Sequence, residues 1–449
     1  MVITRKLNYD APRLRMGGGD IELSREIKIL GLTLDDRLTF NQHVDNVCRK
    51  VQGLYGQLSR AARVQWGLSP GVVRTIYTAV VEPVIMYAAS AWSPATRKKA
   101  VRRRLEAVQR GFVQKIVKAY RTVSLNSSLL LAGLLPLDLR VQEAAALYEI
   151  KRGVSRRVVG DREIEKRTSW RDMAHPADGT ELEFVCLEDG AMPSENGVNI
   201  FTDGSKLEGK VGAALSVWHG DAETKTRKLK LENYCTVFQA ELLALNEAVG
   251  CARSSSECCH NILSDSRSAL QMVINPSANH PLAVQVRNNI KEIREQGKRI
   301  KLYWIRAHIG TVGNERADEL AKEAALKTKR KADYDKCPVS FVKRQIRKDS
   351  LDEWNRRYTE GTTASTTKIF FPNAIEAYKI VRKIEMEATI VQVFTGHGGF
   401  SKYLHRFKCK EDPSCSCESG TEQDVLHLIV DCPIYNRQRH DVEHEINTK

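Results

Sequence analysis

The chain contains no run of the roughly 18 consecutive apolar residues that a membrane-spanning helix requires. Its longest apolar stretch, Ser127 to Pro136, is broken by Gly133 and Pro136. No apolar segment follows the charged start Met1 to Lys6, so an export signal is not expected. Acidic residues are in deficit: 55 Asp and Glu stand against 70 Lys and Arg, a formal net charge of +15. That balance favours a polyanionic partner, because each Lys or Arg near a phosphate releases counterions and adds sequence-independent affinity. A membrane surface is the rival polyanion, but no basic amphipathic helix flanked by Trp and Phe supports it. Cysteines number 11, an odd count without an export signal, which argues against a disulfide framework and for a reducing, intracellular compartment.

What is present suits packed cores: 42% hydrophobic and 28% charged residues. A length of 449 residues allows two to four domains. Residues 1–152 read as mainly helical. Ile27 to Leu34 reads as a strand pair entering a turn at Asp35-Asp36. Asn41 to Arg60 carries Val44, Val47, Val51, Leu54 and Leu58 on one face. Arg97 to Tyr120 has a core stripe of Val101, Leu105, Val108, Phe112 and Ile116. The opposite face, with Arg102, Arg103, Arg104 and Arg110, is either solvated or a rail along a nucleic-acid backbone. Residues 129–152 form a further helical pair around Pro136.

Residues 153–196 lack periodicity and read as a linker. Residues 197–327 read as an α/β unit in the order β-β-β-α-β-α-α-β-α. Residues 328–385 read as a basic, partly helical linker, and 386–449 hold a cysteine cluster.

Four acids in the α/β unit stand where a two-metal nuclease needs them. Asp203 ends the apolar run Val198, Ile200, Phe201, and Asp203-Gly204 reads as the hairpin turn joining the first two strands. Glu241 follows Gln239-Ala240 beside the apolar face of the first helix. Asp265 follows Ile262-Leu263-Ser264 at a strand end, where it could also be a helix N-cap. Asp318 opens the last helix, with His308 ahead of it. Each residue alone has an ordinary explanation as a turn, cap or solvated charge. Together they supply the several carboxylates that phosphodiester hydrolysis by two metal ions about 4 Å apart needs, and Mg²⁺ suits such oxygen ligands.

The segments Phe201-Thr202-Asp203-Gly204-Ser205, Gln239-Ala240-Glu241, Ser264-Asp265-Ser266, Ala307-His308-Ile309-Gly310 and Gly313 to Asp318 resemble ribonuclease H in order and type. The resemblance implies that Asp203, Glu241, Asp265 and Asp318 bind two Mg²⁺. It implies that His308 assists water activation or product release, and that the substrate is the RNA strand of an RNA–DNA hybrid. The fold expected is a mixed five-stranded sheet flanked by helices. In-line attack would leave a 3′ hydroxyl and a 5′ phosphate.

In the last segment, Cys415-x-Cys417, then nine residues to His427 and four to Cys432, is the donor pattern of a closed tetrahedral zinc site. Cys409 is a competing ligand. This region resembles the zinc-knuckle-like end of non-LTR retrotransposon polyproteins, with His397 and His405 as context and not ligands. Ile29 to Phe40, Gln109-Arg110 and Ala132 to Leu137 resemble the segment after the palm, the thumb and the connection of a LINE-like reverse transcriptase. The aromatic-x-Asp-Asp turn of a polymerase is missing: the one Asp-Asp, Asp35-Asp36, follows Thr33-Leu34. The chain therefore resembles the C-terminal part of a non-LTR, jockey-like Pol protein whose polymerase active site lies elsewhere.

The implied partners are the hybrid, element RNA and target DNA, with no membrane and no oligomeric state indicated. The implied cofactors are two Mg²⁺ and one structural Zn²⁺. The location would be the nucleus during integration and the cytoplasm for the ribonucleoprotein. The alternative is a catalytically inactive nucleic-acid-binding fragment.

Overall fold

The computed structural model describes residues 1–4, 6, 9–10, 12–61, 67–153, 160–173, 181–193, 197–327 and 330–447. Two units form, residues 150–345 and residues 1–149 with 346–449.

The first unit is built on a sheet. Its strands are β1 (Phe184–Cys186), β2 (Val198–Leu207), β3 (Lys210–His219), β4 (Ala222–Leu231), β5 (Cys259–Ser264) and β6 (Arg299–Trp304). Its helices are α1 (Val237–Ser254), α2 (Arg267–Ile274), α3 (Pro281–Glu295) and α4 (Val312–Lys327). From β2 onward this is the order expected from the apolar patterning. The sheet order is β1-β6-β5-β2-β3-β4, six strands where five were expected. The sixth, β1, comes from the supposed linker 153–196, and it pairs in parallel with β6, Leu302 opposite Phe184. Three residues are too short for a legible period, so only the neighbouring strand reveals it.

Side-chain alternation along β2 serves two cores. Ile200 packs with Leu242, Leu245 and Ile290 from α1 and α3. Phe201 packs with Leu263, Tyr303 and Ala317 of α4. At the far edge, β4 exposes Lys225 and Arg227, charges that discourage further strand pairing.

The hairpin turn is not where the sequence suggested. Leu207 pairs with Lys210, so the chain reverses at Glu208-Gly209, with φ of 49° and 77°. Two positive φ values make this the primed two-residue turn that hairpins favour. Asp203 and Gly204 lie inside β2, opposite Ala214 and Ala213. A Cβ at Gly204 would lie 2.7 Å from the Glu241 amide nitrogen and 2.9 Å from Ala240 Cβ. The glycine is there so that α1 can lie against the strand.

The second unit is helical. Asn41–Ala61, Lys99–Ile116, Leu125–Ala132 and Leu137–Lys151 surround a core with Val51, Leu105, Phe112 and Leu130. Among the described residues no single helix is long and apolar enough to cross a membrane. The bent pair Pro70–Met86 and Ala89–Arg97 passes on length and composition, but Val73, Tyr77, Val81, Ile85 and Trp92 are buried in this core. Gln109 donates to Leu135 O at 2.9 Å and accepts from Leu137 N at 3.0 Å. Two segments that resembled the thumb and connection thus meet through one buried amide.

Much of the stretch read as a basic linker is packed: residues 346–385 belong to the helical unit. Helix Val339–Glu360 puts Trp354 and Tyr358 into the helical core, and Ala374, Ala377 and Val381 follow. Arg357 pairs with the buried Asp138 at 2.7 Å, and Arg347 with Glu143 at 2.8 Å. High charge hid this role, because the basic residues mask an apolar stripe that packs across a long sequence separation. The basic face of Lys99–Ile116 is partly engaged internally. Arg104 pairs with Asp45 at 3.1 Å, and Arg110 donates to the carbonyls of Arg121 and Val123.

Candidate active site

Strand register brings the first two acids together. Thr202 of β2 pairs with Ser264 of β5 in a parallel ladder, so the next residue on each strand is Asp203 and Asp265. Asp265 does not cap α2. Ser266 occupies the N-cap position, without a side-chain cap bond, leaving the Asp265 carboxylate available. The Asp265 carbonyl is held by Trp304 Nε1 at 3.0 Å, and its Oδ2 accepts from Asn314 Nδ2 at 3.4 Å.

Glu241 arrives from α1. Thr236 and Gln239 form a reciprocal capping box, with Thr236 N to Gln239 Oε1 at 2.9 Å and Gln239 N to Thr236 Oγ1 at 3.2 Å. This fixes the first turn and delivers Glu241 beside the strand. Carboxylate oxygens of Asp203, Glu241 and Asp265 lie within 4.8 Å of one another. Asp318 stands in a neighbouring triplet with His308 and Glu315, whose ligand atoms also lie within 4.8 Å. Asp318 is ion-paired with Lys322 at 2.5 Å. His308 is exposed in the loop before α4, with a left-handed φ of 59°.

Burial and mutual repulsion load this cluster electrostatically. Burial, and then the charges of Asp265 and Asp318, push Asp203 up to about 7. Glu241 is raised well above the usual carboxylate range by burial and by Asp203 and Asp265. Asp265 is raised by burial, which outweighs the Asn314 hydrogen bond. Two buried acceptors, Glu241 Oε2 and Asn314 Oδ1, have no hydrogen-bond partner. Crowded carboxylates with an unsatisfied buried oxygen are the donor set of a hard divalent cation, and the residues fit Mg²⁺.

All five residues singled out by sequence reasoning reach this neighbourhood. Glu315 and Asn314 were overlooked. Glu315 lies three residues before Asp318, a helical spacing that puts both on one face. Glu165 was also missed. It accepts from Gln239 Nε2 at 2.8 Å and Tyr334 Oη at 2.6 Å, and pairs with His280 at 3.2 Å. No local signal marks it, since its partners are far along the chain.

In the helical unit, Cys415, Cys417, His427 and Cys432 bring four ligand atoms within 4.8 Å of one another. Cys415 Sγ and Cys432 Sγ are 3.8 Å apart, and Cys417 Sγ and His427 Nε2 are 3.2 Å apart. Three thiolates and one imidazole converging at such short separations are the donor set of a closed tetrahedral site, so the residues fit Zn²⁺. Cys409 is exposed and outside the cluster. His397 bonds Thr122 instead.

Residues 195–326 match the family model described as RNase H, so the sheet unit carries a ribonuclease H domain. Over this region the chain is homologous to polyproteins of R1 non-LTR retrotransposable elements. It is 33% identical over 143 residues to the 115 kDa protein in type-1 retrotransposable element R1DM of Drosophila melanogaster, covering 32% of this chain and 14% of that protein. It is 28% identical over 148 residues to the Retrovirus-related Pol polyprotein from type-1 retrotransposable element R1 4 of Nasonia vitripennis, covering 33% and 37%. The chain thus spans well under half of these relatives' length. RNase H1 from Halobacterium salinarum is similar at 21% identity and TM-score 0.25, covering 29% of this chain and 98% of that one. The foamy viral protease-reverse transcriptase in complex with dsDNA is similar at 20% identity and TM-score 0.27, covering 31% and 100%.

Proposed function

We propose that this chain hydrolyses the RNA strand of RNA–DNA hybrids in a Mg²⁺-dependent reaction, as part of a retrotransposon Pol protein whose polymerase active site lies outside it. The observation that carries the reading is the convergence of Asp203, Glu241 and Asp265 around the unsatisfied Glu241 Oε2. Asp203, Glu241, Asp265 and Asp318 would hold two Mg²⁺. The ions would supply charge for the phosphate and the activation of a water.

The chain's own residues prepare this. Burial and mutual repulsion raise Asp203 and Glu241, a penalty on their charged forms that a bound cation would relieve. Asn314 and Trp304 orient Asp265. Glu165 and Gln239 anchor the turn that carries Glu241. His308, beside Asp318 and exposed to water, would assist water activation or product departure.

The net charge of +15 would hold the hybrid, along with element RNA and target DNA. Cys415, Cys417, His427 and Cys432 would hold one structural Zn²⁺. Action in the nucleus during integration, and in a cytoplasmic ribonucleoprotein before it, follows from this reading. A labelled hybrid incubated with Mg²⁺ tests it: the parent should release RNA fragments and Asp203→Asn should not. Salt-sensitive hybrid binding without any product would replace the nuclease by an inactive binding fragment.

A further inference from the structure

The helical unit carries a groove that the nuclease reading leaves unused. It has a volume of about 680 Å³ and runs between the segments Thr122 to Ser127, Thr362 to Ile369 and Gly396 to Phe407. A second hollow of about 540 Å³ continues it, sharing Thr122 and Tyr403 and adding Tyr120 and Arg121.

One wall is an aromatic ladder. The His397 and Tyr403 rings lie 4.9 Å apart, and Tyr403 and Phe407 again 4.9 Å apart. The Arg406 guanidinium sits 5.8 Å from the Phe407 ring centre. Thr122 Oγ1 fixes the ladder, 2.7 Å from Tyr403 Oη and 3.0 Å from His397 Nδ1. Outer faces remain open: Phe407 and Tyr120 are each 44% exposed.

The groove is also mainly basic. Residues 402–410 contain Lys402, Arg406, Lys408 and Lys410 and no acid, and residues 115–121 contain Lys115, Lys118 and Arg121 and no acid. The one carboxylate lining the larger hollow, Asp424, pairs with Lys402 at 3.2 Å. Among the described residues, Arg406 in this hollow and Arg121 in the adjoining one form no ion pair with a carboxylate, so their charge is free for a ligand. The opposite rim, Thr362, Thr363, Ser365 and Thr366, offers hydroxyls.

Tilted, partly exposed aromatic rings, the Arg121 and Arg406 cations and hydroxyls along an open channel match the recognition of unpaired bases on a phosphate chain. We propose that this groove binds single-stranded nucleic acid, with bases stacking against Tyr120 and Phe407 and phosphates meeting Arg121 and Arg406. The site is independent of the carboxylate cluster and of the hybrid-cleavage reading.

The test uses the full chain in Mg²⁺-free buffer with fluorescent 12-nucleotide oligouridylate and oligothymidylate, read by anisotropy. The parent should bind with salt-dependent affinity. Arg406→Gln combined with Phe407→Ala should weaken binding about 5- to 100-fold, whereas Phe407→Trp should retain it. Preference for oligouridylate would assign the hydroxyl rim to the ribose, and equal binding would assign the site to either strand type. A 4-thiouridine probe should crosslink within residues 120–127 or 397–407, which reports on the site without any substitution. Equal affinity of parent and double variant, or crosslinks confined to other segments, overturns the proposal. So does competition by polyglutamate equal to that by the oligonucleotide per charge, which would make the ligand an acidic peptide.

Discussion

At the scale of single residues, Asp203 carries the most consequence. An unperturbed Asp ionises near pH 4, and burial beside Asp265 and Asp318 moves Asp203 to about 7. Its folded pKa is raised, so the stability linked to its proton is complete below pH 4. That stability is lost as pH rises through 7, because the unfolded chain has already released the proton. Without Mg²⁺, Asp203→Asn should therefore melt higher than the parent at pH 8, by about 2–4 kcal/mol, and like it at pH 4. Calorimetry at the two pH values checks this. Adding Mg²⁺ at pH 8 should reverse the order, raising the melting temperature of the parent and not of the variant. In the hybrid assay the same substitution should cost more than the roughly 10–100-fold typical of a residue behind the metal ligands.

At the scale of elements, the site depends on how closely α1 lies against β2. Gly204→Ala would force a methyl to within 2.7 Å of the Glu241 amide. Separating strand and helix should lower stability by about 1–3 kcal/mol and displace Glu241, so denaturant midpoint and hybrid cleavage should fall together. Glu165 acts on the other end of the same turn. Glu165→Ala would remove the acceptor of the Tyr334 hydroxyl and the partner of His280, and leave the Gln239 amide with the Lys336 carbonyl alone. An expected loss of about 1–3 kcal/mol follows from stranding these part-buried donors, measurable by urea unfolding. Segments flanking 197–327 therefore matter to the nuclease unit. Glu165 N bonds Cys337 O at 2.9 Å, and Cys337 N bonds Glu163 O at 2.7 Å. Nothing periodic announces such a contact, because each flank is short and its partner lies far along the chain.

At the scale of the whole molecule, zinc and charge are the levers. Metal analysis of the full chain should find one Zn²⁺, absent from Cys415→Ser with Cys432→Ser. A zinc-selective chelator should unfold the segment around residues 409–435, followed by hydrogen exchange, since structural zinc supplies folding free energy. Protection of β2, β3 and β5 should persist. Hybrid affinity should fall with rising salt in proportion to the phosphates neutralised, an outcome read directly from the log–log slope.

The sequence by itself determined the elements from β2 to α4, because apolar periods of two and of three to four are local properties that these segments express strongly. It also determined the identities of Asp203, Glu241, Asp265, His308 and Asp318, and the spacing of the cysteine cluster. Tertiary structure alone decided that the acids converge, since a parallel register and a helix packed on Gly204 bring together positions remote in the chain. It also moved the hairpin turn to Glu208-Gly209, added β1 as a sixth strand, and made a core of residues that composition marked as linker. Those outcomes depend on which partner each segment meets, a choice made by long-range packing and hydrogen bonding that local patterning does not encode.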